Sequence, residues 1–136
     1  MPTSSSSIYF HNAAGLVREH PHYVRLEYFA GKRQLAELQA LLGHVTRALA
    51  KHGTGKLLVD QRLMTPFSPE EQVFVLEDWL PRANAEGGYR WGAVLQAHNV
   101  FARLATALVV TQMQGKPMTY QYFTDENAAV AWLVAQ

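Results

Sequence analysis

The chain has 136 residues, 49% of them hydrophobic and 17% charged, with a formal net charge of +1 and no cysteine. That length and composition fit one domain with a real core and argue against disorder. The missing thiols exclude disulfides, thiolate zinc sites and cysteine catalysis, and the near-zero charge gives no electrostatic case for nucleic acid or acidic lipid.

Residues 1–7, Met-Pro-Thr followed by four serines, read as a disordered polar tail without the apolar core of a signal peptide. Ile8-Tyr9-Phe10 then begins apolar packing. Residues 16–19 and 22–30 read as a hairpin turning at Pro21. Its second strand alternates, with Val24, Leu26, Tyr28 and Ala30 on one face and Tyr23, Arg25, Glu27 and Phe29 on the other, so one sheet face is expected to be partly wet there.

Gly31 breaks that strand, and residues 32–52 follow as a helix with Leu35, Leu38, Leu42, Val45 and Leu49 as its buried stripe. Gly43 inside it costs about 1 kcal/mol against alanine, so a close helix–sheet contact is expected there. Gly53 stops the helix. Leu57-Leu58-Val59 is a continuous apolar strand of the kind covered on both faces. Ser68-Pro69-Glu70-Glu71 opens the next helix: serine caps, proline suits the first position, and Glu71 completes a capping box. Pro81 is expected to bend or end that helix, and Gly87-Gly88 to stop it.

Residues 89–96 form the next strand, where Gly92 and Ala93 leave room for something bulky. A helix starts at His98 or Asn99 with Val100, Phe101, Leu104 and Leu108 pointing inward, and Gly115-Lys116-Pro117 ends it. Residues 119–123 are the last strand, and Thr124-Asp125 caps a final helix that packs through Ala129, Trp132 and Leu133. The longest apolar run, residues 104–110, falls far short of the ~20 residues of a membrane span. The fold class is therefore α/β: a single mixed, mostly parallel sheet of about five strands, an N-terminal antiparallel hairpin and about four helices. Residues 8–136 are one domain, expected to be soluble and cytoplasmic.

The opening hairpin, the strand from Leu57 to Asp60, the segment Asp78-Trp79-Leu80-Pro81-Arg82-Ala83, Gly88-Tyr89-Arg90, and Tyr122-Phe123-Thr124-Asp125-Glu126 before Ala131-Trp132-Leu133 together resemble the STAS/SpoIIAA-like group. That group shares its fold with CRAL–TRIO-type lipid-binding domains. The resemblance implies a non-enzymatic domain that binds partners or small hydrophobic or nucleotide ligands, sometimes switched by phosphorylation. Anti-sigma-factor antagonists of the group carry a phosphorylated serine in an Asp-Ser-Ser-Gly-like turn at this strand-to-helix junction. Here the junction reads Asp60-Gln61-Arg62-Leu63-Met64-Thr65-Pro66-Phe67-Ser68, without that turn, so no phospho-switch carries over; Thr65 and Ser68 only neighbour the expected place.

Strand ends in parallel sheets place binding sites, and two of them mark the candidate site: residues 60–68 together with His98 and Asn99. Asp60, Arg62, Thr65 and Ser68 would form its polar mouth, although Ser68 is fully accounted for as a helix cap. Met64 and Phe67 either offer apolar contact to a ligand or partner, or fold inward as a lid on the sheet. His98 has the chemistry of a general base, but no nucleophile, oxyanion or phosphate-loop motif accompanies it. His11, His20 and His22 lack a tetrahedral complement of ligands, so no metal site is expected. Trp79, Trp91, Tyr120, Tyr122 and Trp132 are read as core before pocket.

The reading is a non-enzymatic regulatory or protein-interaction domain with a protein partner or a second copy, no cofactor and no nucleic acid. A carrier of a small hydrophobic, lipid-like ligand held between sheet and helices is the alternative. A pocket of several hundred Å³ would favour the carrier, and a filled core with an apolar surface patch the interaction domain.

Overall fold

A computed structural model describes residues 6–112 and 118–136. Its organising strand is β4 (Lys56–Asp60), whose Leu57 and Leu58 lose all contact with water. Side chains alternate along a strand, so a run with no polar interruption needs apolar cover on both faces. The sheet provides it, with six strands in chain order: β1 (Ser7–His11), β2 (Gly15–Glu19), β3 (Val24–Tyr28), β4, β5 (Trp91–Leu95) and β6 (Thr119–Phe123). β1 to β3 pair antiparallel, and β3 to β6 pair parallel.

The mixed sheet matches the expectation, with one strand more. Ser7 belongs to β1 and pairs with Glu19, so the polar tail is shorter than the serine run suggested. Three apolar residues have no period of their own to announce a strand, and pairing with β2 supplies it. Residues 1–5 of that tail lie outside the described residues.

The parallel strands are added in one direction, so the helices between them stack on one face. α1 (Leu35–His52) covers β1, β2 and β3. Next to it runs one continuous helical rod: α2 (Pro69–Val73), a wide π-type turn (Phe74–Trp79) and α3 (Leu80–Gly87). α4 (Val100–Gln112) lies last in that layer, its Ala102, Ala105 and Val109 sharing one apolar cluster with Val94 and Tyr120. α5 (Glu126–Val134) alone crosses to the opposite face, where Ala129 and Leu133 pack on Leu58, Ala93 and Leu95.

Several local expectations meet their physical cause. Gly53 takes a left-handed φ of 72° at the end of α1, and its N–H caps the Leu49 carbonyl. A Cβ on Gly92 would come within 2.5 Å of Tyr120 and of the Tyr89 hydroxyl, which are the bulky neighbours that position accommodates.

Two others are corrected. Pro81 does not end its helix. It follows the π turn, in which the Leu80 N–H reaches back five residues to the Val75 carbonyl, and the widened turn lets the rod continue past a residue with no N–H. Gly43 faces no close contact either, because a Cβ there would meet nothing within 4 Å. It borders an open groove between α1 and the rod. The Gly115-Lys116-Pro117 stop lies outside the described residues.

Candidate functional site

The β4–α2 and β5–α4 loops do meet at one end of the sheet. The His98 N–H donates to the Arg62 carbonyl at 3.0 Å, and the Gln61 N–H to the Leu95 carbonyl at 3.1 Å. Each residue of the candidate set nevertheless has work within the fold.

Asp60 is the hub of an ion cluster. Its Oδ2 accepts from Arg25 Nη2 at 2.8 Å and from Arg62 Nη2 at 2.9 Å, and its Oδ1 from Arg62 Nε at 3.0 Å. Arg25 reaches on to Glu126 at 2.9 Å and Glu27 at 3.1 Å, and Arg62 also meets Glu126 at 3.2 Å. Burial pushes the Asp60 carboxyl up, but the Arg62 hydrogen bonds and the Arg25 charge outweigh it and hold it below the ordinary carboxylate value. A general acid or base needs a proton that exchanges near working pH, whereas this carboxylate is kept ionised. The cluster ties the start of α5 to β3 and to the end of β4. Arg25 and Glu126 were absent from the candidate set, although the charged face of the β3 alternation carried a signal for Arg25.

Met64 and Phe67 fold inward, with 1% and 8% of their surface exposed. Phe67 meets Tyr28 edge-on at a ring separation of 6.0 Å. Above both rings lies the Arg33 guanidinium, paired with Glu71 at 2.8 Å. The segment is a lid on the sheet, which removes these two side chains from a docking surface. Thr65 donates to the Gly31 carbonyl at 2.9 Å, at the α1 side and away from His98.

Ser68 caps α2: its hydroxyl accepts from the Glu71 N–H, while the Glu71 carboxylate accepts from the Ser68 N–H. Asn99 does the same for α4, its side-chain oxygen accepting from the Phe101 and Ala102 N–H groups. His98 is exposed. Among the described residues no three His, Asp or Glu side chains gather as a metal site, and no helix is long and apolar enough to cross a membrane. His20 stacks on Tyr23 at 4.5 Å instead.

Besides an open groove of about 550 Å³ lined by Leu35, Val73 and Phe74, three cavities flank the helix layer. One of about 50 Å³ is lined by Tyr28, Val94, Trp79, Tyr120 and Val109. A cleft of about 200 Å³ separates α4 from the strand ends, with Gln96, Arg103 and Tyr122 on its walls. The hydrogen bond from the Thr106 hydroxyl to Gln61 Oε1, 2.9 Å long, belongs to the lining of both. The third, about 350 Å³, is the groove at Gly43, floored by Trp79, whose indole N–H donates to the Leu42 carbonyl at 2.7 Å.

Sequence reasoning also placed the apolar face of α4 wrongly. Val100, Phe101, Leu104 and Leu108 point outward, exposed by 53%, 72%, 61% and 49%. Inward go Ala102, Ala105, Thr106 and Val109. Leu63, 60% exposed, stands on the loop hydrogen-bonded to His98, near the start of this stripe. Arg103 is the single charged residue of the helix, and it flanks the cleft. Scattered exposed apolar residues are ordinary, but four large ones on one helical face are not. No known protein family, curated protein or solved structure matches the chain.

Proposed function

We propose that this chain is a non-enzymatic regulatory or protein-interaction domain, of the kind the STAS/SpoIIAA-like resemblance implies, and that it engages a protein through the outer face of α4. The observation that carries this reading is the stripe of Val100, Phe101, Leu104 and Leu108, large apolar side chains left in water while small ones are buried. Leaving them exposed gains nothing for folding, and covering each would contribute about 1–2 kcal/mol to an association.

The carrier alternative is less well supported. The apolar cavity between the sheet and the helices, about 50 Å³, is far below the ~300 Å³ at which small-ligand pockets begin, and the larger spaces, about 350 and 550 Å³, are surface grooves between helices with charged side chains among their walls.

The test is site-specific photo-cross-linking in cells, with the reactive side chain placed at Leu104 and, as a control, at Gln39 on the exposed face of α1. A discrete adduct from position 104 that position 39 does not give is the expected result. No adduct from 104, or the same adducts from both, would overturn the reading.

A further inference from the structure

Building on that interaction reading, we infer that the occupant of the α4 face is a second copy of this chain, joined through the outer edge of β6 with the two α4 helices side by side across a twofold axis.

The two edges of the sheet differ. β1 ends it on one side, and its register against β2 slips between Ile8 and Phe10, leaving Tyr9 as an extra residue. Such irregularity blunts an edge against further pairing. β6 ends it on the other side with an unbroken register of five residues against β5. Its sequence, Thr-Tyr-Gln-Tyr-Phe, has strong β propensity and neither proline nor charge to discourage another strand.

The direction of its backbone groups is fixed. The Thr119 N–H donates to the Arg90 carbonyl and the Phe123 carbonyl accepts from Gln96, so Thr119, Gln121 and Phe123 turn their polar groups toward β5. Alternation then turns the N–H and C=O of Tyr120 and Tyr122 outward. An antiparallel β6 from a second copy, centred on Gln121, sets Tyr120 opposite Tyr122 of the other copy and satisfies all four groups of each chain. The axis runs perpendicular to the sheet, so both α4 helices stay on the same face beside the junction. The interface is isologous, as a twofold demands.

The chemistry of the face suits a copy of itself. The four residues of its stripe are uncharged, and the one charge of the helix, Arg103, stands beside the stripe at the cleft that Leu104 also lines, so the centre of two such faces meets without like charges. Four side chains about half or more exposed, together with Leu63, offer several hundred Å², the size of the largest apolar patch of a typical monomer, which is often a site of contact. The strand edge brings the total toward the ~800 Å² per partner of a stable dimer.

Two variants of the full chain test this. The protein has no cysteine, so Gln121→Cys introduces one thiol, and the inferred pairing puts the two copies' thiols on α-carbons ~4.5 Å apart, within disulfide reach. Under mild oxidation Gln121→Cys is expected to form a covalent dimer rapidly, and Gln39→Cys not to. Leu104→Asp, at a position 61% exposed, is expected to keep the circular dichroism spectrum while weakening self-association in sedimentation equilibrium at least about tenfold, or about 1.4 kcal/mol. A chain that stays monomeric at millimolar concentration overturns the second copy, as does a dimer indifferent to Leu104→Asp or one in which both cysteine variants cross-link alike. If the monomer instead cross-links a different protein from position 104, the second copy fails and the interaction reading stands. If it only floats with lipid vesicles, both fail.

Discussion

α1 and α4 lie on the same face of the same sheet, and they treat their large apolar residues in opposite ways. α1 buries Leu38, Leu41, Leu42, Val45 and Leu49 completely, and its exposed side carries Gln39, Arg47 and Lys51. α4 buries Ala102, Ala105, Thr106 and Val109 and leaves Phe101, Leu104 and Leu108 in water. Helical spacing says which residues share a face, but polar residues on the far side are what orient that face. α1 has them. α4 is apolar nearly all round, so its spacing admits two orientations and the space above β5 and β6 selects one. Tyr89 and Tyr120 occupy part of that space, meeting edge-on at 5.9 Å, and the small face of α4 is the one that packs over them.

The largest effect should come from the α1 side. Leu42→Ala removes a fully buried side chain and is expected to lower unfolding free energy by about 3–4 kcal/mol in urea denaturation. A loss below about 1 kcal/mol would mean that α1 is no better anchored than α4.

A different mode of anchoring, by charge, holds α5 on the far face. Asp60→Asn leaves the Arg25 guanidinium, whose side chain is 11% exposed, with Glu126 and Glu27 only. The expected loss is about 3 kcal/mol at neutral pH. Because the folded carboxyl is held below its unfolded value near 4, its contribution is complete above that value and disappears as pH falls through the depressed folded value. Stability profiles of wild type and Asp60→Asn should therefore converge in acid, and a gap that persists to pH 2 would show that the charge is not what matters.

The polar pins of the layer come next. Trp79→Phe removes the indole N–H that joins the rod to α1 at Leu42 and Thr46, and Thr106→Val removes the donor that joins α4 to Gln61. Each is expected to cost about 1–2 kcal/mol. If Thr106→Val were neutral, α4 would be held by still less than its small inner face suggests.

Two smaller effects sharpen the contrast. Gly43→Ala adds a methyl into open space and is expected to stabilise α1 by about 0.5–1 kcal/mol, read as a raised melting temperature. Leu104→Ser, by comparison, should stay within about 0.5 kcal/mol of wild type under conditions where the chain is monomeric. A Leu104→Ser cost equal to that of Leu42→Ala would show that α4 is buried after all.

What the sequence by itself determined is local and periodic. The strand cores, the capping box at Ser68 and Glu71, the glycine stop at Gly53 and the α/β order are set by neighbours a few residues apart, and each is where its residues put it. The convergence of the Asp60 and His98 loops also followed, because parallel strands direct their following loops to one end. Tertiary structure decided the rest. Residues far apart in the chain chose the partners: Arg25 and Glu126, separated by 101 positions, claimed Asp60, and Arg33 closed the Phe67 lid through Glu71. β1 became a strand only by pairing with β2. α4 turned its large residues outward and packed its small ones over tyrosines contributed by other elements, an orientation its own nearly all-apolar sequence did not choose.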